Sequence, residues 1–326
     1  MELALIIPVW NDLPGLTRLL SQAGRLDCFT EVIIADDASD PPLDPEALRR
    51  IWRRDPDRLT LLRQETQRGA GAARNLALDH VTGSHVLFFD SDDMLTPELP
   101  WLLHDLKDRD FDFCLFRHHD SRVGLWGRSG QMPSDEAHWR DAGVAVGALS
   151  RIQPSQATRL AGIINYPWNK IYRNEFLQAH AIRCSQTPVH NDIEIHWLSF
   201  LHAKDILVSD RVAARHFVAA AGNRLTNRSG AERLSVFQPL ERIATRLSGK
   251  VDDIADHPLL AEFLRFASSL FDWIRGFLNT TLRAEFENRT RGFLLRHVPP
   301  ATFARLAHAD PVLALRINHQ LARGKS

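Results

Sequence analysis

The sequence has few cysteines and no long uninterrupted apolar run. Its three cysteines, Cys28, Cys114 and Cys184, lie far apart, with neither a disulfide framework nor metal-ligand spacing, so we expect thiols in a reducing compartment. No stretch approaches the roughly 18 uncharged apolar residues of a membrane span. The N-terminus, MELALIIPVW, has no basic residues before its short apolar run, which predicts a first strand and not a signal peptide.

The chain also lacks a bias of charge. Its 326 residues include 40 basic and 40 acidic side chains, which cancel, so no nucleic-acid binding is indicated. With 44% hydrophobic and 25% charged residues, the composition is that of a globular protein with one large domain and a smaller one. We expect a cytoplasmic protein that is at most peripheral to the inner face of a membrane.

The first half of the chain alternates strand and helix patterns. Buried strands are predicted at residues 3–9, 31–35 and 85–89, and a short strand at 59–63. Helix patterns between and after them begin at Asp12, at Asp44 and at Thr96. This alternation predicts a parallel sheet with crossover helices.

Carboxylates follow two of these strands directly. Asp36 and Asp37 end the second strand, and Asp90, Asp92 and Asp93 follow the fourth. Because the carboxyl ends of parallel strands meet at one edge of a sheet, we expect all five side chains to lie together. Like charges repel unless a cation or donor-rich ligand lies between them, and carboxylates with substrate phosphates suit Mg²⁺ or Mn²⁺. The alternative is a solvated acidic turn that starts the next helix.

A glycine-bearing turn, QRGAGAARN, precedes the third helix pattern. Its glycines imitate a dinucleotide-binding fingerprint, but Arg74 stands where the third glycine would be, and no acidic strand follows at the required distance. A bendable backbone, Arg68, Arg74 and a helix N-terminus instead suit an anionic ligand. A plain loop with solvated arginines is the alternative.

Together these segments resemble the inverting glycosyltransferases of family 2, which have the GT-A fold. The resemblance rests on IIPVWND, ADDASD, RGAGAARNLALDHVTGSHVLFFDSDDML, WNKIYRNEFL and HNDIEIHW, and it covers residues 3–227. It implies an α/β fold, Rossmann-like, with a mostly parallel sheet flanked by helices. It also implies a hexosyltransferase that moves a sugar from a nucleotide-sugar donor, a UDP-sugar in particular, to a hydroxyl of a glycan or glycolipid acceptor in bacterial surface polysaccharide synthesis.

The resemblance also assigns the donor site. In that family the Asp that ends the second strand holds the uracil or ribose, which corresponds here to Asp36 or Asp37. The Asp-x-Asp motif is Asp90-Ser91-Asp92, and Asp92 is the first choice as ligand of the divalent metal, with Asp90 and Asp93 beside it. Further donor-site residues are expected at the same edge, in the glycine turn and in a later basic loop: Pro8, Val9, Arg68, Arg74 and Arg224.

The general base of such enzymes is a carboxylate on a later segment, often the Asp of a Glu-Asp pair. The matching pair here is Asn191-Asp192, so the Asp is present and the Glu is not. Asn191 and Glu194 predict a capped helix start that places Asp192 in the first turn, where the helix dipole favours the ionised base. A strand would instead align His190, Asp192, Glu194 and His196 as a metal cluster, which the capping pattern disfavours.

The acceptor side is expected further along the chain. Trp168, Asn169 and Lys170 lie in the segment that the family uses near the acceptor, and a buried Trp with a structural Asn is the alternative. His196 is expected on the acceptor side or in packing. The irregular stretch of residues 118–150 fits a substrate-specific flap.

The character changes to helical periodicity from residue 229 onward. Apolar residues recur there at steps of three or four: Leu259, Phe263, Phe266, Leu270, Trp273 and Phe277. We predict a catalytic domain at 1–228, with a nucleotide-sugar half at 1–117 and an acceptor half at 118–228, and a helical region at 229–326. The helices would pack on the catalytic domain or on a second copy in a homo-oligomer, and their arginines suit weak contact with an anionic membrane.

Two other classes of protein remain as alternatives. A catalytically silent nucleotide-sugar-binding or assembly subunit is favoured only by the missing acid before Asp192. A sugar-phosphate nucleotidyltransferase would need a basic glycine-rich loop after the first strand, and PVWNDLPGL is not such a loop.

Overall fold

The strands predicted in the first half of the chain lie next to one another in a nine-stranded sheet. A computed structural model describes residues 1–125, 127–144, 147, 149–217, 228–248 and 258–323. The strands are β1 (Leu3–Val9), β2 (Glu31–Asp36), β3 (Leu59–Arg63), β4 (His85–Phe88), β5 (Met94–Leu95), β6 (Phe113–Asp120), β7 (Ser150–Arg151), β8 (Lys170–Arg173) and β9 (Ile206–His216).

The strand order is β3-β2-β1-β4-β8-β6-β9-β5, and β7 pairs with β9. The first four strands in chain order, β1 to β4, are mutually parallel, as predicted. Strand β8 lies antiparallel between β4 and β6, and β5 and β7 run antiparallel to β9. The predicted α/β fold is therefore confirmed, with a parallel half and a mixed half in one sheet.

Helices connect and flank the strands. In the first two thirds of the chain these are α1 (Leu13–Leu26), α2 (Pro45–Trp52), α3 (Ala70–Leu78), α4 (Leu99–Leu106), α5 (Ser121–Gly124), α6 (Pro133–Asp141), α7 (Pro154–Leu160), α8 (Asn174–Ala179) and α9 (Ile193–His202). Several begin as their sequence predicts: the Asp12 carboxylate accepts from the Gly15 N–H (3.1 Å), and the Asp44 carboxylate accepts from the Glu46 N–H (2.9 Å).

The helical C-terminal region is also confirmed. It comprises α10 (Phe237–Ser248), α11 (Pro258–Phe277), α12 (Arg283–His297), α13 (Pro300–Ala309) and α14 (Pro311–Arg323). Helix α10 packs against α9. The buried stripe of α11 runs through Phe263, Ala267 and Phe271, whereas Trp273, predicted on that stripe, is 48% exposed. In the described part of the chain, no helix combines the length and apolar content that crossing a membrane requires.

The sheet separates two apolar layers. One face of β1 and β2 packs against α1, α2 and α4. The other face packs against α3 and α9, and its core continues into the C-terminal helices as far as Ile317 of α14. The C-terminal helices therefore share a hydrophobic core with the sheet. The division of the chain at residue 228 stays a prediction.

Helix α3 approaches the later chain closely at Gly71. A Cβ atom placed on Gly71 would lie 2.0 Å from the carbonyl oxygen of Ser185 and 2.8 Å from Cβ of Asn191. No side chain fits there, because the backbone oxygen cannot move aside as a flexible side chain would. The glycine turn thus brings α3 against the residues that precede α9.

We predict that Gly71→Ala lowers the free energy of unfolding by about 2 kcal/mol, because the added methyl group overpacks this contact. Gly276→Ala is the matched control, since Gly276 is also helical and a Cβ there meets nothing within 4 Å. That substitution should raise stability by about 0.5 to 1 kcal/mol through helix propensity. Urea unfolding of the two variants measures both values, and equal stabilities would contradict the close approach.

Candidate functional site

The carboxyl ends of the parallel strands meet at one edge, as the sequence predicts. Val9 of β1 pairs in register with Asp36 of β2, and the Asp37 N–H donates to the Val9 carbonyl (2.8 Å). Beyond the end of β4, the Phe89 N–H donates to the carbonyl of Ile6 (2.8 Å). Pro8 is buried beside them. The residues that follow β1, β2 and β4 therefore form a common surface at this edge.

Three aspartates after β4 form a compact cluster. Asp90, Asp92 and Asp93 each offer a carboxylate oxygen, and these oxygens lie within 4.8 Å of one another. Asp90 and Asp92 are partly exposed, whereas Asp93 is fully buried. Three hard oxygen donors at this spacing fit a divalent cation such as Mg²⁺ or Mn²⁺.

The carboxylate of Asp93 is bonded to groups at the end of β9. It accepts from Nδ1 of His216 (2.9 and 3.1 Å), the last residue of that strand, and from the N–H of Phe217 (2.9 Å), the next residue. Burial raises the pKa of Asp93 because the loss of hydration outweighs these hydrogen bonds. Both oxygens of Asp93 therefore face donors within the protein, and Asp92 and Asp90 as ligands of a cation stay a prediction.

The turn that carries the cluster is fastened to α1. Ser91 Oγ donates to Oδ2 of Asp12 (2.7 Å), and Arg18 Nη2 donates to the carbonyl of Asp92 (3.0 Å). The sequence reasoning used Asp12 only as a helix cap, so its second role with Ser91 was missed. The position of Asp12 just after β1, at the same sheet edge, was the available signal.

Asp36 and Asp37 are both buried and both engaged. Asp36 forms a salt bridge with Arg63 at the end of β3, its register partner, and accepts from the Ser39 N–H (2.9 Å). Asp37 accepts from Nε2 of Gln64 (2.8 Å) and, in the glycine turn, from the N–H groups of Arg68 (2.7 Å) and Gly69 (2.8 Å). Burial raises the pKa of Asp37 despite these bonds. Their contact with a nucleotide stays a prediction.

The two arginines of the glycine turn differ in their surroundings. Arg68 is exposed, and its Nη2 donates to Oε1 of Gln186 (2.7 Å). Arg74 is 5% exposed; its Nη2 donates to Asp90 (2.5 Å) and its Nη1 donates to Oδ1 of Asn191 (2.6 Å). Arg74 thus links the aspartate cluster to the residues before α9. Arg224, the third predicted cation, lies outside the described residues.

Asp192 immediately precedes α9. The helix is as predicted, but the capping-box interpretation is wrong: Asp192 itself is the N-cap position, and its side chain makes no capping hydrogen bond. Asn191 accepts from Arg74 instead, and Glu194 accepts from Ser185 Oγ (2.7 Å). These tertiary contacts use the groups that local capping would need.

Asp192 combines partial exposure with an unusual pKa. Burial raises its pKa to about 6, although the positive charge of Arg74 opposes the shift. Asp90 also raises the pKa of Asp192, and Lys170 lowers it, so these groups lie close enough to interact. A carboxyl with a pKa near the physiological range is suited to accept a proton.

The predicted acceptor-side residues are buried beside this site. Trp168 stacks on the ring of Tyr166 (4.4 Å between centroids) and lies 5.3 Å from the ring of His216. Nζ of Lys170 donates to Oδ1 of Asn169 (2.7 Å) and to the carbonyl of Tyr166 (2.8 Å), and burial lowers the pKa of Lys170 to about 7. The structure brings Trp168, Asn169 and Lys170 together, and the sequence reasoning missed the partly exposed Tyr166.

His196 lies in the core. It is fully buried on α9, and its Nε2 lies 2.9 Å from the carbonyl oxygen of Ala161. Its ring packs against Phe200 (5.1 Å). This placement favours the packing interpretation of His196, and contact with an acceptor stays a prediction.

The mixed sheet, the aspartate cluster at its edge and the helical C-terminal region are those of a GT-A glycosyltransferase. Residues 4–180, more than half of the chain, match the model of glycosyl transferase family 2, and the protein belongs to that family. No curated protein sequence gives a significant match.

Solved structures agree on the fold. The crystal structure of residues 1–349 of S. aureus TarS in complex with UDP-GlcNAc has a TM-score of 0.76 at 21% identity, over 99% of this chain and 89% of that chain. This chain spans only 55% of the longer TarS structure. The mannosyltransferase PcManGT of Pyrobaculum calidifontis, in complex with GDP-Man and Mn²⁺, has a TM-score of 0.54 at 18% identity, over 99% of this chain and 86% of that chain.

We predict that Asp92→Asn weakens Mn²⁺ binding by about tenfold or more, because it removes one charge from the cluster. Asp108→Asn is the control: Asp108 is exposed in the loop before β6, at the opposite edge of the sheet, and its loss should leave Mn²⁺ binding unchanged. Calorimetric titration with Mn²⁺ measures both constants. Equal affinities in the two variants would rule Asp92 out as a metal ligand.

Proposed function

We propose that this protein is an inverting, metal-assisted glycosyltransferase that transfers a hexose from a UDP-sugar to a hydroxyl of a glycan or glycolipid acceptor. One observation carries the proposal. The aspartate cluster and a separate carboxylate of raised pKa, Asp192, lie close to the same buried cation, Arg74. Family 2 membership and the UDP-GlcNAc complex of TarS support the donor class.

Asp92 and Asp90 would hold the divalent cation, and Asp93 would support the cluster through its bonds to His216 and Phe217. When bound, the cation supplies positive charge that stabilises the departing nucleoside diphosphate. Mn²⁺ in the PcManGT complex is compatible with this set of oxygen donors, as is Mg²⁺. Arg74 adds a fixed positive charge beside Asp90.

The donor's base and ribose would lie nearer β1 and β2. Asp36 and Asp37 are proposed there, with Pro8 and Val9 behind them, because these residues continue the edge that carries the metal cluster. Arg68 is the exposed cation of the glycine turn, and its N–H donates to Asp37 (2.7 Å). Its guanidinium suits an anionic group of the donor.

Asp192 would take the proton from the acceptor hydroxyl. The oxygen then forms a bond to the anomeric carbon from the face opposite the diphosphate, whose bond to that carbon breaks as the diphosphate departs with its electron pair. One such displacement inverts the anomeric configuration. Arg74 and Lys170 favour the ionised form of Asp192, while burial and Asp90 oppose it.

The missing acid before Asp192 does not require a silent subunit. Asn191 accepts a hydrogen bond from the buried Arg74, so the amide has a defined partner. Trp168 and Lys170 are proposed on the acceptor side, together with Asn169 and His196. We further propose that the acceptor belongs to bacterial surface polysaccharide synthesis in the cytoplasm, and that residues 1–228 form the catalytic domain.

We predict that Asp192→Asn lowers kcat about a thousandfold, as expected for loss of a general base. Removing a charge whose burial is unfavourable should not lower the melting temperature, so unfolding would not explain the loss. Asp79→Asn is the control, because Asp79 is exposed at the end of α3 and pairs with Arg183 (2.8 Å). UDP release from UDP-GlcNAc, with Mn²⁺ and a glycan acceptor, measures kcat; near-normal turnover in Asp192→Asn would contradict the base assignment.

We also predict an acid limb in the pH profile of kcat/KM, which reports groups of the free enzyme. Burial raises the pKa of Asp192 to about 6, and the base must be deprotonated, so kcat/KM should fall about tenfold for each pH unit below 6 and level off above 7. The Asp79→Asn variant should keep this profile. A kcat/KM that stays constant from pH 5 to pH 8 would show that no group of this pKa acts as the base.

A further inference from the structure

The loop of residues 185–192 ends at the proposed base, Asp192. Its two ends are joined, because the Ser185 N–H donates to the carbonyl of Asn191 (2.9 Å). Between them, His190 has a φ of +60°, in the left-handed region. A residue with a Cβ atom adopts that region at an energetic cost and keeps it only where neighbouring groups hold it. The contacts of His190 therefore influence the orientation of Asp192.

Arg233 provides such a contact from the start of the helical C-terminal region. It lies in a 3-10 turn (Ala231–Val236) that leads into α10, and it is 2% exposed. Its Nη1 donates to Nε2 of His190 (3.1 Å), and its Nε donates to the carbonyl of Arg228 (2.8 Å). Because the guanidinium can only donate, His190 must be neutral. Burial and the charge of Arg233 lower the pKa of His190 to about 3, in agreement with this.

Two rings of α11 hold the guanidinium of Arg233 in place. Its Cζ lies 5.1 Å from the ring centroids of both Trp273 and Phe277, within cation–π range. The ring of His190 also approaches Trp273 nearly edge-on (6.3 Å, 80°). Trp273 therefore has a packing partner although it lies outside the buried stripe of α11.

A second cation from the same region reaches the other side of the loop. Nη1 of Arg242, on α10, donates to Oε2 of Glu194 (3.1 Å), and that oxygen also accepts from Ser185 Oγ (2.7 Å). The side chain of Arg242 is 52% exposed, so this ion pair is weak. Of the two arginines, Arg233 is the buried one, and its partner His190 directly precedes Asn191-Asp192.

We propose that Arg233 is a positioning residue of the transfer reaction: it fixes His190 and thereby directs the carboxylate of Asp192 toward the acceptor hydroxyl. The inference rests on the proposed role of Asp192 as the base. It gives the helical C-terminal region a part in catalysis through the loop of residues 185–192. The contact involves Arg233, His190 and the rings of Trp273 and Phe277.

Arg233→Lys tests the proposal, because an ammonium group keeps the charge but lacks the planar fork that makes both hydrogen bonds. Hydrogen exchange at the amides of residues 186–191 should rise. More water would then reach the partly exposed Asp192, and its pKa, followed by ¹³C NMR of the carboxyl carbon, should fall from about 6 toward the ordinary carboxyl range. The kcat for UDP release from UDP-GlcNAc with Mn²⁺ should fall about tenfold, with KM unchanged.

Arg275→Lys is the matched control. Arg275 lies on α11 and, like Arg233, donates through Nε, but its acceptor is Glu287 of α12 (2.5 Å) and not the loop. All three readouts should stay at wild-type values in this variant. His190→Asn removes the other half of the contact while tolerating the left-handed backbone, so it should reproduce Arg233→Lys. The double variant, with Arg233→Lys and His190→Asn together, should lower kcat no more than either single substitution.

Unchanged exchange and an unchanged Asp192 pKa in Arg233→Lys would overturn the inference. Additive losses in the double variant would also overturn it, because the two residues would then act separately. Wild-type kcat in Arg233→Lys, together with a large loss in Asp192→Asn, would remove the positioning role and leave the base assignment intact. Full activity in Asp192→Asn would overturn the proposed base and, with it, the catalytic part of this inference.

Discussion

The buried guanidinium of Arg74 joins the two chain segments that build the site. It bonds to Asp90, which follows β4, and to Asn191, which precedes α9. A buried charge is stable when it is paired and hydrogen-bonded, and Arg74 donates to a carboxylate and to an amide. Its charge also acts on Asp192. Arg74 therefore connects the aspartate cluster to the residues beside the proposed base, one turn of α3 from the close approach at Gly71.

This arrangement gives a physical reason for an amide at position 191. A glutamate there would accept from Arg74 equally well, but it would place another negative charge beside Asp192 and Asp90. Asn191 accepts from the guanidinium without adding a charge, so the positive charge of Arg74 acts on those two carboxylates. The C-terminal helices contribute in a different way, since Arg233 and Arg242 bond to His190 and Glu194 on either side of Asp192.

Half of the sheet and part of the site could be predicted from the sequence. Strands β1, β2 and β4 are mainly apolar runs, and because they are parallel, the aspartates that follow β2 and β4 lie at one edge of the sheet. The register of a parallel pair could also have found Arg63 beside Asp36. Strand β8 could not be found in this way, because it is four residues long and carries two cations. The bond of Asp93 to His216 joins residues 123 positions apart and follows only from the folded sheet. The capping box failed for the same reason: Asn191 and Glu194 have tertiary partners.

The central claim is that the aspartate edge binds a nucleotide sugar through a divalent cation. Thermal unfolding of the full chain with UDP, UDP-GlcNAc or GDP-Man, each with and without Mn²⁺ or Mg²⁺, tests this claim most directly, because a ligand that binds only the folded state raises Tm. We expect a UDP compound to raise Tm when the metal is present and to have little effect when the metal is absent. A Tm that no nucleotide raises with either metal would contradict the account.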